Sequence, residues 1–378
     1  MKYCISCLQP NTRPNSSFTN DGVCPACNYF SKLKNVDWQE RFDILLDLID
    51  KYSIKGSNKH NCIIGVSGGK DSTRQALWIR DKLKLNPLLV CISYPPEQIT
   101  ERGVDNLSNL IELGFDVRTI APAPETWRKL MSLSFSKFTN WCKSTELALF
   151  SAVPRLAIQY EIPLIFWGEN PGLQLGDLKT LGKTGYDGNN LRFMNTLSGG
   201  GIEWIKDEGF EERILLPYLY PDIDEFENAN LQIVYLGWFL GDWSLVNNGL
   251  YSSLNGLELR SDVPENSGDL YGLTSLDEDW VTLNQMIKYY KFGFGRATDY
   301  VNEEIRAKRI NRKQGIEIIE KYDGCCGEDY IKSFCEYIEI SENYFWDKVH
   351  NNMNKKLFTI DKNGKIKKKF KVGFGLKY

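Results

Sequence analysis

Six consecutive residues, Ser67-Gly68-Gly69-Lys70-Asp71-Ser72, follow the apolar run Cys62-Ile63-Ile64-Gly65-Val66 and precede a helix-forming stretch from Thr73 to Leu83. Glycines between a strand and a helix let the backbone turn tightly and bring its amides onto phosphate oxygens. The helix that follows adds its positive N-terminal end. The string is not a Walker A loop, which needs Gly-x-x-x-x-Gly-Lys-Ser/Thr, because Asp71 stands where that loop has its hydroxyl. Glycine in a strand-to-helix turn can also be purely structural, so the chemistry is carried by the whole string and not by the glycines alone.

A second constellation is built from cysteine. Cys4-x-x-Cys7 and Cys24-x-x-Cys27 flank sixteen residues that include Pro14, Asp21 and Gly22. Four thiolates at this spacing can close a tetrahedral zinc site around a turn-rich loop, whereas four unrelated cysteines would be small core residues. A site with four protein ligands and no open position staples a small ribbon and does no chemistry. Ten cysteines in a chain read as cytoplasmic are thiols or metal ligands in preference to disulfides.

Further candidates lie at the ends of predicted elements. Gly168 and Glu169 follow the apolar strand Leu164-Ile165-Phe166-Trp167, where open α/β sheets bind ligands. Glu169 is a candidate for metal or substrate contact, with a surface carboxylate as the alternative. Arg296 and Asp299 follow Phe292-Gly293-Phe294-Gly295, whose glycines permit close approach to a ligand; a structural Arg–Asp pair is the other reading. Lys288 and Lys291 stand close by as contacts for a substrate carboxylate. Cys142 precedes a helix without a Cys-x-x-Cys partner, and such a lone cysteine packs more often than it reacts. Cys325-Cys326 are read as incidental to catalysis.

These residues must be held by an alternation of strands and helices. Trp38 to Ile54 is an amphipathic helix, and Cys62–Val66, Pro87–Ile92, Asp116–Ile120 and Leu164–Trp167 read as buried strands. Helices are expected over 73–83, 100–113 and 145–160 between them. The pattern predicts an α/β fold with a doubly wound parallel sheet. The chain divides into a zinc ribbon (1–35), a nucleotide domain (36–171), a Gly-, Asn- and aromatic-rich insertion that builds a substrate pocket (172–275), and a helical C-terminal region with a basic terminal hairpin (276–378).

Composition narrows the functions. The net charge of −3 lacks the basic footprint of a nucleic-acid binder, and Lys362 to Lys371 reads as the solvated face of a hairpin turning at Asn363-Gly364. No stretch approaches the ~18 apolar residues of a spanning helix, and the start lacks the apolar core of a signal peptide, so neither membrane nor export is expected. With only His60 and His350 in 378 residues, a histidine base has little support.

The Ser-Gly-Gly-x-Asp-Ser string resembles the PP-loop of ATP pyrophosphatases such as GMP synthetase, NAD synthetase, asparagine synthetase and the tRNA thiolases, a HUP-like fold. That resemblance implies that the loop holds the β,γ-pyrophosphate of ATP and that Asp71 helps hold Mg²⁺. It also implies a nucleotide-edge contact at Ser93, and AMP and pyrophosphate as products. The run Cys4-x-x-Cys7, Thr12-Arg13-Pro14, Phe18, Asp21-Gly22-Val23-Cys24 and Cys27 is similar to the start of the N-acetyl sugar amidotransferases. So are Lys291-Phe292-Gly293-Phe294-Gly295-Arg296-Ala297-Thr298-Asp299, Ile305-Arg306 and Tyr322-Asp323-Gly324. Enzymes of that family make amidino sugars, including the acetamidino form of pseudaminic acid, for surface polysaccharide or flagellin glycans. The resemblance implies adenylation of an acetamido oxygen and its replacement by ammonia, which a separate glutaminase subunit would supply. Electrostatic stabilisation by Lys70, Arg296 and Mg²⁺ suits such chemistry better than a strong base does. A tRNA thiolase-type enzyme is the alternative and would require reactive cysteines.

Overall fold

The computed structural model describes residues 1–56, 58–174, 184–194 and 197–376. The near N-terminal cysteines enclose a loop that ends in helix α1 (Pro25–Lys32), followed by α2 (Trp38–Tyr52). The Asp37 carboxylate caps α2 by accepting the N–H groups of Gln39 and Glu40, satisfying donors that a helix start leaves free.

Strands and helices then alternate as β1 (Cys62–Gly65), α3 (Lys70–Leu83), β2 (Pro87–Ile92), α4 (Glu101–Glu112), β3 (Val117–Ile120), α5 (Pro124–Phe138), α6 (Cys142–Gln159) and β4 (Leu164–Trp167). Three short helices follow, α7 (Pro171–Gln174), α8 (Glu203–Lys206) and α9 (Ile223–Asn228), before strand β5 (Gln232–Tyr235). All five strands run parallel in the order β3-β2-β1-β4-β5. Successive side chains of a strand face opposite ways. Ile63, Leu88, Val90, Ile165 and Ile233 therefore pack against α5 and α6, while Ile64, Leu89, Phe166 and Val234 pack against α2 and α3. Both faces are covered, as a doubly wound sheet requires. In this order the chain reverses its winding between β1 and β4, and the crevice outside the carboxyl ends of those two strands is where such folds take ligands.

The segment 172–275, expected as an insertion building a substrate pocket, supplies the fifth strand of the sheet and α10 (Leu245–Ser253), which lies along α3. A short α11 (Pro264–Ser267) leads into α12 (Val281–Phe292), α13 (Arg296–Arg306), α14 (Arg312–Tyr322), α15 (Glu328–Tyr337) and α16 (Glu342–Asn352). The chain closes with two antiparallel pairs, β6 (Phe358–Ile360) with β7 (Ile366–Lys368) and β8 (Phe370–Lys371) with β9 (Gly375–Leu376). The first pair turns through Gly364 at φ +78°, the left-handed conformation that glycine adopts without strain.

The two ends of the chain meet. Leu8 packs in one apolar cluster with Val301, Ile319, Phe358 and Phe370. Arg312 donates to the carbonyls of Cys4, at 2.6 Å, and Cys7. Among the described residues no helix is long and apolar enough to cross a membrane.

Candidate active site

The loop after β1 carries the expected geometry. Gly68 has φ +78°, and a Cβ there would come within 3.1 Å of the Leu107 backbone nitrogen, so only glycine fits beneath α4 without strain. Gly69 is the N-cap of α3 and has no side chain to satisfy the helix's first N–H groups. Lys70 and Asp71 are the first residues of that helix, and the Lys70 ammonium donates to Asp71 Oδ2 at 2.7 Å.

A cavity of about 370 Å³ opens at this point. Its walls are the loop residues Ser67, Gly69, Lys70, Asp71 and Ser72, the tips Gly168 and Glu169 after β4, and apolar side chains of β2 and α6. The site thus occupies the crevice that the strand order designates. Gly168 matters because a Cβ there would lie 2.5 Å from Oε1 of buried Gln75. Burial, reinforced by the charges of Asp71 and Glu146 and opposed by Lys70, pushes the Glu169 carboxyl up to about 7.

The fourth wall comes from far along the chain: Leu273, Thr274, Ser275, Leu276, Asp277 and Arg296. Arg296 is the first residue of α13, whose N-cap Gly295 offers no side-chain bond. The carboxylate of Asp323 does that work instead, accepting the N–H groups of Gly295 at 2.9 Å and Thr298 at 3.0 Å. The Arg296 guanidinium then donates to Ser275 Oγ at 3.0 Å. The N-terminus of α3 opens into this cavity, and Lys70 and Arg296, the cationic first residues of α3 and α13, both line it, an arrangement suited to a polyanion.

Residues 270–371 match the family model for the C-terminal domain of WbpG-like LPS biosynthesis proteins. The WbpG-like segment supplies that fourth wall, Arg296 included. No curated protein matched the chain. Solved structures similar to it include an NMN synthetase from Francisella tularensis, at 19% identity over 36% of this chain and 56% of that one, with a TM-score of 0.26. Another is the U34-tRNA thiolase NcsA from Methanococcus maripaludis with its [4Fe–4S] cluster, at 14% identity over 85% and 89%, with a TM-score of 0.31. A third is an NH3-dependent NAD synthetase from Campylobacter jejuni subsp. jejuni NCTC 11168 in complex with the nitrate ion, at 17% identity over 60% and 100%, with a TM-score of 0.27. The chain spans little more than half the length of the NMN synthetase.

Other expected site residues stand elsewhere. Ser93 lies just beyond β2, its N–H donating to the Ile120 carbonyl at 2.9 Å; its neighbour Ile92 lines the cavity and Ser93 does not. Lys291 donates to the carbonyls of Phe138 and Thr139 at 2.6 and 2.9 Å, closing the C-terminal end of α5 rather than facing the cavity. Its ammonium is pushed down to about 8 by burial. Asp299 sits a turn into α13 and away from the cavity wall, paired with Arg13 and with Lys288 at 3.0 Å. Arg13 lies over the ring of Phe294, 4.3 Å from its centroid, so the Phe-Gly-Phe-Gly run seats the N-terminal module.

The thiols of Cys4, Cys7, Cys24 and Cys27 are buried and within 4.8 Å of one another. Cys7 and Cys24 sulfurs are 3.7 Å apart. Sulfurs ~2.3 Å from a central zinc at tetrahedral angles would be separated by ~3.8 Å, so the donor set fits. Backbone N–H groups of Gln9 and Cys24 point at the sulfurs of Cys7 and Cys4 at 3.3 and 3.2 Å, as is usual around charged thiolates.

Two residues behind the loop carry no signal in the sequence. Asn248 Nδ2 donates to Asp71 Oδ1 at 2.6 Å, and Ser252 Oγ donates to the Lys70 carbonyl at 2.6 Å. Both come from α10, and nothing in the local string Leu245–Ser253 marks them.

Proposed function

We propose that the chain is an ATP-dependent enzyme that adenylates the acetamido oxygen of an N-acetyl sugar and replaces it with ammonia, giving an acetamidino sugar. The single observation that carries this reading is the convergence of the Ser67–Ser72 loop and the WbpG-like segment on one cavity, with Lys70 and Arg296 facing it. The acetamido oxygen attacks the α-phosphorus of ATP while the α–β bridging bond breaks and pyrophosphate leaves. Ammonia then adds to the activated carbon, and the C–O bond to AMP breaks, leaving an amidinium that keeps the added proton. Loop amides and Lys70 would hold the pyrophosphate, and Arg296 would offset charge on the substrate side. Apolar residues of β2 and α6 line the same cavity and would limit the access of bulk water to an activated carbon held there.

The residues fit the groups this chemistry needs. Mg²⁺ commonly takes one or two carboxylates beside substrate phosphates, and Asp71, with Glu169 near it, offers them in the same cavity. When bound, that ion would neutralise charge on the departing pyrophosphate. Zinc at the four cysteines would be structural. The sugar is a pseudaminic-acid-type or UDP-linked diacetamido sugar, destined for LPS O-antigen or flagellin glycan, in a cytoplasmic pathway.

tRNA thiolation is disfavoured by the thiols themselves. Outside the four-cysteine cluster every cysteine has its thiol pushed up by burial, Cys142 well up, whereas a nucleophilic thiol needs the opposite shift. The direct experiment incubates the purified chain with ATP, Mg²⁺, ammonium and candidate diacetamido sugars and looks by mass spectrometry for exchange of oxygen for NH. AMP formation driven by tRNA, or by none of the sugars, would overturn the assignment.

A further inference from the structure

Asp71 and Arg74 stand three residues apart on α3, a spacing at which opposite charges pair directly. They do not pair. Between them sits Asn248, fully buried, whose Oδ1 accepts from Arg74 Nη1 at 2.5 Å while its Nδ2 donates to Asp71 Oδ1 at 2.6 Å. Arg74 is 4% exposed and is drawn to the far side by Asp242, whose carboxylate it meets at 2.6 Å. A guanidinium only donates and a carboxylate only accepts, so the amide can lie in one orientation alone.

α10 is itself clamped so that Asn248 arrives there. Ser244 caps its start by accepting the N–H of Asn247, and Glu303 of α13 accepts the N–H of Leu245 at 2.5 Å. One turn beyond Asn248, Ser252 is bonded to the Lys70 carbonyl.

We infer that Asn248 is a positioning residue for Asp71. It holds one carboxylate oxygen with a neutral N–H and keeps Arg74 from taking that carboxylate, so that only Lys70, 2.7 Å from Oδ2, has to give way to the cation that accompanies pyrophosphate. A neutral donor orients the ligand without competing for its charge, as outer partners of metal-binding groups do. The inference rests on the reading of the loop given above, and it concerns the cation and pyrophosphate, not the sugar.

The test needs no turnover. Binding of inorganic pyrophosphate is followed by calorimetry as Mg²⁺ is raised, for the full chain and its variants. Asn248→Leu frees Arg74 to pair with Asp71, and the Mg²⁺ needed for half-maximal pyrophosphate binding is expected to rise about 10-fold or more. Asn248→Ser, which keeps a polar group too short to bridge both partners, moves it the same way should the leucine variant not fold. Adding Arg74→Met to either variant removes the competing cation and brings the requirement back toward wild type, a rescue that mere loosening would not give. Asn109→Ala, which frees the far end of α10 from its bond to the Asn255 carbonyl, leaves it unchanged. An unchanged Mg²⁺ requirement in the Asn248 variants, no rescue, or an equal rise in Asn109→Ala overturns the role of Asn248. Failure of wild type itself to bind pyrophosphate with Mg²⁺ overturns the reading of the loop, and this inference with it.

Discussion

Arg13 of the N-terminal cysteine module is paired with Asp299 of α13, 286 residues away in sequence. Burial would raise the Asp299 carboxyl, but the charges of Arg13 and Lys288 prevail and hold it down to about 2. The pair is a joint between modules, and it accounts for why Asp299 belongs with Arg13 rather than with a substrate.

Asp299→Asn should therefore destabilise the fold while leaving the cavity walls in place. The folded carboxyl lies below the unfolded range near 4, so its stabilisation is complete above about pH 4 and is lost as pH falls through about 2; it is on the order of 2 kcal/mol. Chemical denaturation at neutral pH should separate wild type from variant, with the gap closing between pH 4 and 2. A gap that persists at pH 2 would remove the ion pair as its cause.

Asp71→Asn should keep the fold and lower AMP formation by ~10²-fold or more, because the carboxylate acts on charge that develops as pyrophosphate leaves. Wild-type rates in this variant would dismiss the loop as the catalytic phosphate site.

Zinc analysis of the freshly purified chain should find the metal, and chelation or Cys24→Ser should lower the melting temperature. The cysteine loop is too small to hold itself together without a metal. Loss of activity should follow the loss of structure and not precede it. Metal-free protein with an unchanged melting curve contradicts this.

Glu169 carries a pH signature. With its carboxyl raised to about 7, it is neutral below that value and anionic above it. At low Mg²⁺, ATP binding should weaken in wild type as pH rises through 7, since a second carboxylate then faces the phosphates beside Asp71. Glu169→Gln removes that dependence, so the comparison cancels titration of ATP itself. Identical pH profiles for the two proteins would show that Glu169 does not face the triphosphate.

The nitrogen source follows from the two histidines. His60 Nε2 lies 3.3 Å from Asp116 but its buried Nδ1 has no hydrogen-bond partner among the described residues, and His350 lies against Trp346, so neither is paired with the cysteine nucleophile that a glutaminase triad needs. The isolated chain should use ammonium at raised pH and be inactive with glutamine until a separate glutaminase subunit is added. Amidine formation by the pure chain with glutamine alone would refute this.

Local signals made the loop, the first strands and the cysteine spacing readable. Ser67 to Ser72 turns the chain and opens α3 within six residues, and β2 and β4 are short apolar runs bounded by turn formers. Strand β5 was hidden because Gln232–Tyr235 lies within aromatic-rich sequence whose irregularity suggested a pocket; its partner β4 defines it as a strand. Lys291 adjoins Phe292–Gly295 in sequence, yet its partner carbonyls belong to a helix end about 150 residues earlier. Asn248 has no local signature, since its role exists only where α10 meets α3.

The bonds from Arg312 to the carbonyls of Cys4 and Cys7 span 308 and 305 residues. At ~5–20 residues per second of synthesis, the cysteine module leaves the ribosome roughly 15–60 s before the helix that seats it exists. For that interval its four thiols have neither Arg312 nor the complete Leu8 cluster beside them, and a metal ion captured there would order the module locally. A chain interrupted before α14 would lack Arg312 and most of the apolar cluster against which Leu8 packs, leaving that side chain exposed.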